Sequence, residues 1–168
     1  LAIDLVYADC YASEIQNETY NENKKDLIYK YPDYQPQDSL LCYQFGPQPM
    51  WRKSLHDKIG SFDGNFKAAG DYDFNIRLAL KCKALHISEP LGLYLKHGNA
   101  LSFVDDTAIL EFKKIVRKYR TSEVIEKLYQ MAGFRIRNDE ERSAIYLDMA
   151  VRSLEFYPAW ECGKPAAD

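Results

Sequence analysis

The sequence has no long hydrophobic run, since no stretch approaches the roughly 20 apolar residues that a membrane-spanning helix needs. It also has no strong charge of one sign, because 25 acidic and 22 basic side chains leave a formal net charge of -3. This balance gives no reason to expect nucleic acid or an anionic membrane as a partner. No signal peptide is visible. The chain opens inside a strand-like pattern, and we expect it to be a piece of a longer protein.

Cysteine is scarce and scattered. The four cysteines show none of the short paired spacings that zinc sites and redox dithiols normally use. A chain of 168 residues with 46% hydrophobic composition can bury a normal core and does not require disulfides. No Gly-rich loop opens a helix, so the usual cradle for a phosphate is missing as well. Buried, reduced thiols in a cytoplasmic protein are therefore expected.

The front part of the chain mixes strand, turn and helix patterns. Residues 3–13 are rich in β-branched and aromatic side chains and predict a strand or hairpin. Residues 20–40 have no sustained period and predict a long loop. A short strand, a Gly-Pro turn and a short helix near residues 53–58 should follow. Residues 84–97 predict two strands with a Pro-Gly interruption between them.

The rest of the chain is predicted to be helical. Apolar side chains recur at helical spacing in three sets, each marking the buried face of one helix: Ile109, Phe112, Val116 and Tyr119; Val124, Leu128 and Met131; Ala144, Leu147, Val151 and Leu154. Gly133 should end the second helix, and Asn138 with Glu141 resembles a capping box before the third. The predicted division is a mixed α/β (or α+β) part, residues 1–104, and a packed helical extension, residues 105–168.

The stretch GDYD, which begins at Gly70, comes immediately before an apolar helical run that extends to about residue 83. One interpretation is structural: Asp71 caps the helix, and Asp73 pairs with Arg77 one turn later. The other is catalytic: the helix N-terminus keeps the Asp71 carboxylate ionised, and it accepts a proton at the edge of a cleft. Gly70 has no side chain and lets another molecule come close. These residues alone favour the cap.

Three further residues are candidates for a site. His97 ends a predicted strand, where it could be a metal ligand, an acid/base group or an ordinary loop histidine. Trp51 and Arg52 could form the apolar and cationic wall of a pocket, or a core tryptophan beside a surface arginine. Taken singly, each of the three fits its structural interpretation better.

Taken together, several segments resemble the second half of the family 2 glycosyltransferases of the GT-A fold. The matching segments are Met50-Trp51-Arg52, the turn Ile59-Gly60-Ser61-Phe62-Asp63, the stretch GDYDFNIR that ends at Arg77, and Tyr94 with His97 and Ser102. Their order and spacing agree with the family pattern over roughly residues 1–104. The helical extension is not covered.

The resemblance implies a truncated GT-A-like mixed sheet with helices and gives Asp71 a role. In this family the matching aspartate takes the proton from an acceptor hydroxyl while that oxygen attacks the anomeric carbon of a nucleotide sugar and inverts its configuration. The histidine that matches His97 helps to hold a divalent cation, Mn²⁺ or Mg²⁺, and the diphosphate. Substrate contacts are expected from Trp51, Arg52, Gly70, Asp73 and Arg77.

The chain departs from the family in two respects. Gly70 stands where many relatives have glutamate. The nucleotide-binding half is absent, together with its Asp-x-Asp metal motif, and Asp9 lies in the strand that follows this motif in relatives. Most of the divalent-cation site should therefore belong to the missing half, so that the chain alone is expected to be inactive.

The predicted function is the acceptor side and catalytic base of a metal-dependent, inverting glycosyltransferase in polysaccharide or cell-surface glycan synthesis. Its partners would be a nucleotide-sugar donor and a glycan or lipid-linked acceptor. The full-length protein would be cytoplasmic and peripheral at the inner face of the membrane. Self-association is expected through a strand edge left exposed near Leu1 to Ala8. The alternative is a non-catalytic interaction or assembly module derived from a glycosyltransferase.

Overall fold

The computed structural model describes residues 3–96 and 106–156. Its strands are β1 (Leu5–Ser13), β2 (Ile28–Tyr29), β3 (Met50–Trp51) and β4 (Ala84–Leu95), and a 3-10 helix, Pro36–Leu40, lies between β2 and β3. Its α-helices are α1 (Leu55–Ile59), α2 (Gly70–Ala79), α3 (Thr107–Tyr119), α4 (Ser122–Met131) and α5 (Asp139–Phe156). Helices combined with one small sheet confirm the expected α/β or α+β class.

The sheet is built around β1. This strand pairs in parallel with β4 along its whole length, and it pairs antiparallel with β3 near its start and β2 near its end. Leu5 and Val6 consequently have partners on both edges, and Leu5 is buried. The exposed strand edge that we expected near Leu1 to Ala8 is therefore wrong at these two residues, because β3 and β4 cover both sides.

Most of the front part follows the sequence pattern. The first predicted strand is confirmed as β1, and the short helix is confirmed as α1, which begins two residues later than expected. The segment expected to be a long loop contains β2 and the 3-10 helix. The two strands predicted in residues 84–97 are one continuous strand, β4, up to Leu95. The pairing of β4 shifts register between Ile87 and Gly92, which is how the strand accommodates Pro90.

Two hydrophobic clusters form the core, and α2 contributes to both. One joins α2 to the sheet and α1: Leu5, Tyr7, Phe45, Leu55, Ile59, Phe74, Leu78 and Cys82. The other joins the opposite side of α2 to the helical extension: Leu40, Ala69, Tyr72, Ile76, Ala79, Ile115, Ile125, Leu128, Tyr129, Ile145 and Met149. The extension thus shares its core with the front part of the chain, and α2 is packed from two sides.

The signals at the helix ends of the extension are confirmed. Asn138 accepts a hydrogen bond from the backbone N–H of Glu141 at 2.8 Å, just before α5. Gly133 has a positive φ of 95°, two residues after the end of α4. Thr121 caps α4 by accepting a hydrogen bond from the backbone N–H of Val124.

The buried face predicted for the third helix is wrong. Leu147 and Leu154 are 67% and 77% exposed, whereas Ile145 and Met149 of the same helix are buried. Polar contacts accompany this orientation: Arg152 of α5 binds Asp38 in the 3-10 helix, and Tyr129 of α4 binds Asp148. We call the solvent-facing set Ala144, Leu147, Val151 and Leu154 the α5 outer face. In the described part of the chain, no helix has the length and apolar character needed to cross a membrane.

Candidate functional site

The start of α2 is held from outside the helix. Its N-cap residue is Ala69, which makes no side-chain cap hydrogen bond, and Asp71 lies inside the first turn. The predicted N-cap role of Asp71 is therefore wrong. The carboxylate of Glu111 on α3 instead accepts hydrogen bonds of 2.8–2.9 Å from the backbone N–H groups of Lys67, Ala68 and Ala69.

Asp71 is an exposed carboxylate in a partly desolvated setting. Desolvation by the surrounding protein raises its pKa above the usual 3.8, and hydrogen bonding from the backbone N–H of Tyr72, 2.8 Å from Oδ1, only partly offsets this. Among residues 3–96 and 106–156, no ion pair involves Asp71. The group can therefore reach a ligand and holds a proton more readily than an ordinary surface aspartate.

Two further polar residues lie in the same region of the protein as this carboxylate. Burial raises the pKa of Tyr43, and the charge of Asp71 raises it further, so the phenol near the carboxylate stays protonated. Asn75 lies one turn after Asp71 on the same side of α2 and is fully buried. Within the described residues, neither amide atom of Asn75 has a hydrogen-bond partner. Such orphaned groups are rare in native proteins, and a bound water, an ion or a functional role can account for them.

Asp73, only two residues further on, has the opposite environment. Its side chain is 1% exposed, and it binds Arg77 at 2.8 Å, Lys118 at 3.0 Å and the Tyr119 hydroxyl at 3.0 Å. Burial alone would raise its pKa, but hydrogen bonds from these three partners outweigh that effect and lower it. The predicted pair of Asp73 with Arg77 is confirmed. Asp73 is thus a buried structural anion that joins α2 to α3.

Arg77 and the pair Trp51–Arg52 also serve the protein's own structure. Arg77 donates to the backbone carbonyl oxygens of Ile59 and Ser61 as well as to Asp73. The Trp51 indole donates to His56 at 3.1 Å and packs against Phe74. Arg52 is exposed and donates to the carbonyl oxygen of Ile3. None of these contacts brings the three side chains to Asp71, and their substrate contacts stay predictions.

Gly70 does not need to be glycine for steric reasons. A Cβ built at this position meets the Asp63 carbonyl oxygen at 3.7 Å and the Phe66 Cβ at 3.8 Å, which is ordinary contact. A residue with a Cβ atom is therefore compatible with the backbone at this position.

The predicted cation stays a prediction. His97 and Ser102 lie outside the described residues. Within those residues, no group of three or more His, Cys, Asp or Glu side chains could hold a metal ion. The described donor set thus does not form a cation site.

Sequence analysis missed two polar groupings. The first is Glu111 with Lys118 and Tyr119, whose targets lie more than 40 residues earlier in the chain. The second is His86, buried between Asp9 at 2.9 Å and Asp33 at 3.0 Å. No local pattern marks either grouping, because each depends on which elements pack together. The amphipathic period of α3 was the only signal, and it places Glu111 beside the apolar face.

The comparisons with known proteins add no identification. No family model matches the chain, and no curated protein or solved structure matches it either.

Proposed function

We propose that this chain supplies the acceptor side and general base of an inverting, nucleotide-sugar-dependent glycosyltransferase, with Asp71 as the base. The observation that carries the proposal is the contrast between Asp71 and Asp73. One carboxylate is exposed, has no ion-pair partner among the described residues and has a raised pKa, whereas the other is buried, paired and has a lowered pKa. Perturbed pKa values cluster at functional sites, and an exposed carboxylate with a raised pKa suits a general base.

The chemistry required of Asp71 is one proton transfer. An acceptor hydroxyl placed beside the carboxylate gives its proton to an Oδ atom. The acceptor oxygen forms a bond to the anomeric carbon as the bond from that carbon to the diphosphate oxygen breaks. The diphosphate leaves with the bonding electron pair, and the attack from the opposite side inverts the anomeric carbon. The Tyr72 N–H orients the carboxylate for this transfer through its bond to Oδ1.

The pH profile of the complete protein, with its donor half, tests this assignment. A general base works only when deprotonated, so kcat/KM should fall as the pH drops through the pKa of Asp71. Because desolvation raises that pKa, the fall should be centred above the usual aspartate value of 3.8. Release of nucleoside diphosphate from a panel of nucleotide sugars measures the rate. A profile that stays flat from about pH 7 down to about pH 4 would contradict the assignment.

A second candidate function, an assembly module, is favoured by the α5 outer face. Its four residues are spaced by three, four and three, as in the a and d positions of paired helices. An apolar face of this kind on the surface of a helix fits a second copy of the same chain, because one patch can pair with itself around a two-fold axis.

For this second candidate, sedimentation of the chain should show a dimer that Leu147→Glu converts to monomer. A charge placed at the centre of a helix pair would have to be buried without a partner, which is unfavourable. Leu110→Glu is the matched control, since Leu110 is also a highly exposed leucine but lies on α3. A wild-type chain that is monomeric at about 100 micromolar would rule out the assembly function at ordinary affinities.

A further inference from the structure

Helix α3 contacts the start of α2 and the residues just before it at three successive places. The Glu111 carboxylate accepts hydrogen bonds from the backbone N–H groups of residues 67–69. Phe112 stacks on Tyr72, with ring centroids 4.4 Å apart and planes 26° from parallel. Lys118 and Tyr119, two turns further along α3, both bind the same oxygen of Asp73 at 3.0 Å. The contacted residues, 67–69 before α2 and Tyr72 and Asp73 within it, lie on either side of Asp71 in the chain.

The Glu111 contact holds the segment immediately before α2. Residues 67–69 belong to no helix or strand, and Ala69 has no side-chain oxygen to accept a hydrogen bond. Of the three donors, Ala69 is the N-cap position of α2, and a negative charge close to a helix start is favourable. Hydrogen bonds to an ionised acceptor are also roughly twice as strong as neutral ones. The carboxylate from α3 therefore fixes a segment that would otherwise have no side-chain partner for three consecutive donors.

The electrostatics of Glu111 agree with this geometry. Desolvation raises its pKa, but the N–H groups of Lys67, Ala68 and Ala69 outweigh that effect, and its pKa lies below the usual value for glutamate. The carboxylate is therefore ionised over the whole neutral range and can accept all three hydrogen bonds there.

We propose that Glu111 is a positioning residue, which sets the orientation of Asp71 by holding the backbone of residues 67–69 immediately before it. This inference rests on the proposed function of Asp71. A general base must lie within hydrogen-bond reach of the proton that it takes. A misplacement of about 1 Å can cost roughly a hundredfold in rate, even when its cause lies away from the reacting atoms. The helical extension would thus act on the reaction without touching the substrate.

The variant that tests the proposal is Glu111→Gln in the complete protein. Glutamine keeps the shape, but its NH₂ group would face an N–H donor where an oxygen stood, so at least one of the three bonds is lost. We expect kcat to fall by about ten- to a hundredfold with the KM for the nucleotide sugar unchanged. Glu123→Gln is the control, because Glu123 is an exposed glutamate in the first turn of α4. It should leave both constants unchanged.

Amide hydrogen exchange of the 168-residue chain gives a second reading that does not depend on activity. Glu111→Gln should speed exchange at residues 67–69 while exchange in β1 stays as in the wild type. Glu111→Asp, which keeps the charge on a side chain one methylene shorter, should give an intermediate result for both exchange and kcat. This variant also serves if the glutamine variant fails to fold.

The outcomes separate the two proposals. Faster exchange together with a lower kcat and an unchanged donor KM supports the positioning role. Faster exchange with an unchanged kcat, in a protein that Asp71→Asn inactivates, overturns the positioning role and leaves the base assignment intact. If Asp71→Asn retains transfer, the base assignment fails and the positioning role fails with it. Unchanged exchange at residues 67–69 would show that Glu111 does not hold the backbone of this segment.

Discussion

Asp71→Asn in the complete protein should lower the rate of sugar transfer by about a hundred- to ten-thousand-fold, the usual contribution of a general base. Asparagine has nearly the same shape, and its Oδ1 can still accept the hydrogen bond from the Tyr72 N–H. The asparagine side chain cannot, however, take the proton from the acceptor hydroxyl. Binding of the nucleotide sugar should be unchanged, because the donor is expected to be held by residues outside this chain.

Asp57→Asn provides the matched control for this experiment. Asp57 is also an exposed aspartate in the first turn of a helix, in this case α1. Its substitution removes one negative charge but leaves the start of α2 untouched, so the transfer rate should stay at the wild-type level. An Asp71→Asn protein that keeps more than about half of the wild-type turnover would show that Asp71 is not the base.

The Asp71→Asn variant should be at least as stable as the wild type at neutral pH. Folding raises the pKa of Asp71, so the native state binds this proton more tightly than the unfolded state does. Stability due to this group therefore falls as the pH rises from the unfolded pKa through the folded one, and the ionised carboxylate is unfavourable at neutral pH. Asparagine removes that cost. A loss of stability would instead indicate a structural role for Asp71, and thermal unfolding distinguishes the two.

The elements that sequence analysis predicted correctly are those with a local signal. The β-branched and aromatic run of β1, the helical period of α2 and the Asp73–Arg77 spacing all act within a few residues, so the pattern alone determines them. Gly133 and Asn138 mark helix ends through backbone geometry and hydrogen bonds that are equally local.

The features that it missed depend on contacts between distant segments. The α5 outer face shows the limit most clearly, since its apolar period is regular but Ile145 and Met149 pack inside instead. Hydrophobic spacing identifies a helix with two differing faces, but which face turns inward depends on contacts with distant segments, such as the ion pair of Arg152 with Asp38. Asp71 shows the same limit, because the sequence pattern favours a cap, whereas the helix begins one residue earlier and Glu111 on α3 holds the segment before it.

Asp73→Asn should lower the free energy of unfolding by about 1.5–3 kcal/mol at neutral pH, the range for hydrogen bonds to a charged group. The substitution removes the charge that Arg77 and Lys118 share, inside a site that is 1% exposed. Both cations keep some contact with water, which holds the expected loss below that of a fully buried pair. Urea unfolding of the 168-residue chain gives the measurement, and the midpoint should fall with an unchanged slope.

The pH dependence of the stability lost in Asp73→Asn is the sharpest test of the role of the Asp73 carboxylate. Folding lowers the pKa of Asp73, so its stabilising contribution is fully present above the unfolded pKa of about 3.9 and disappears as the pH falls through the folded value. The difference between wild type and variant should therefore be large at neutral pH and shrink in acid. Asp139→Asn removes a 96% exposed partner of Arg142 and should change little at any pH. An Asp73→Asn deficit that stays constant into acid would mean that packing, and not the ionised carboxylate, joins α2 to α3.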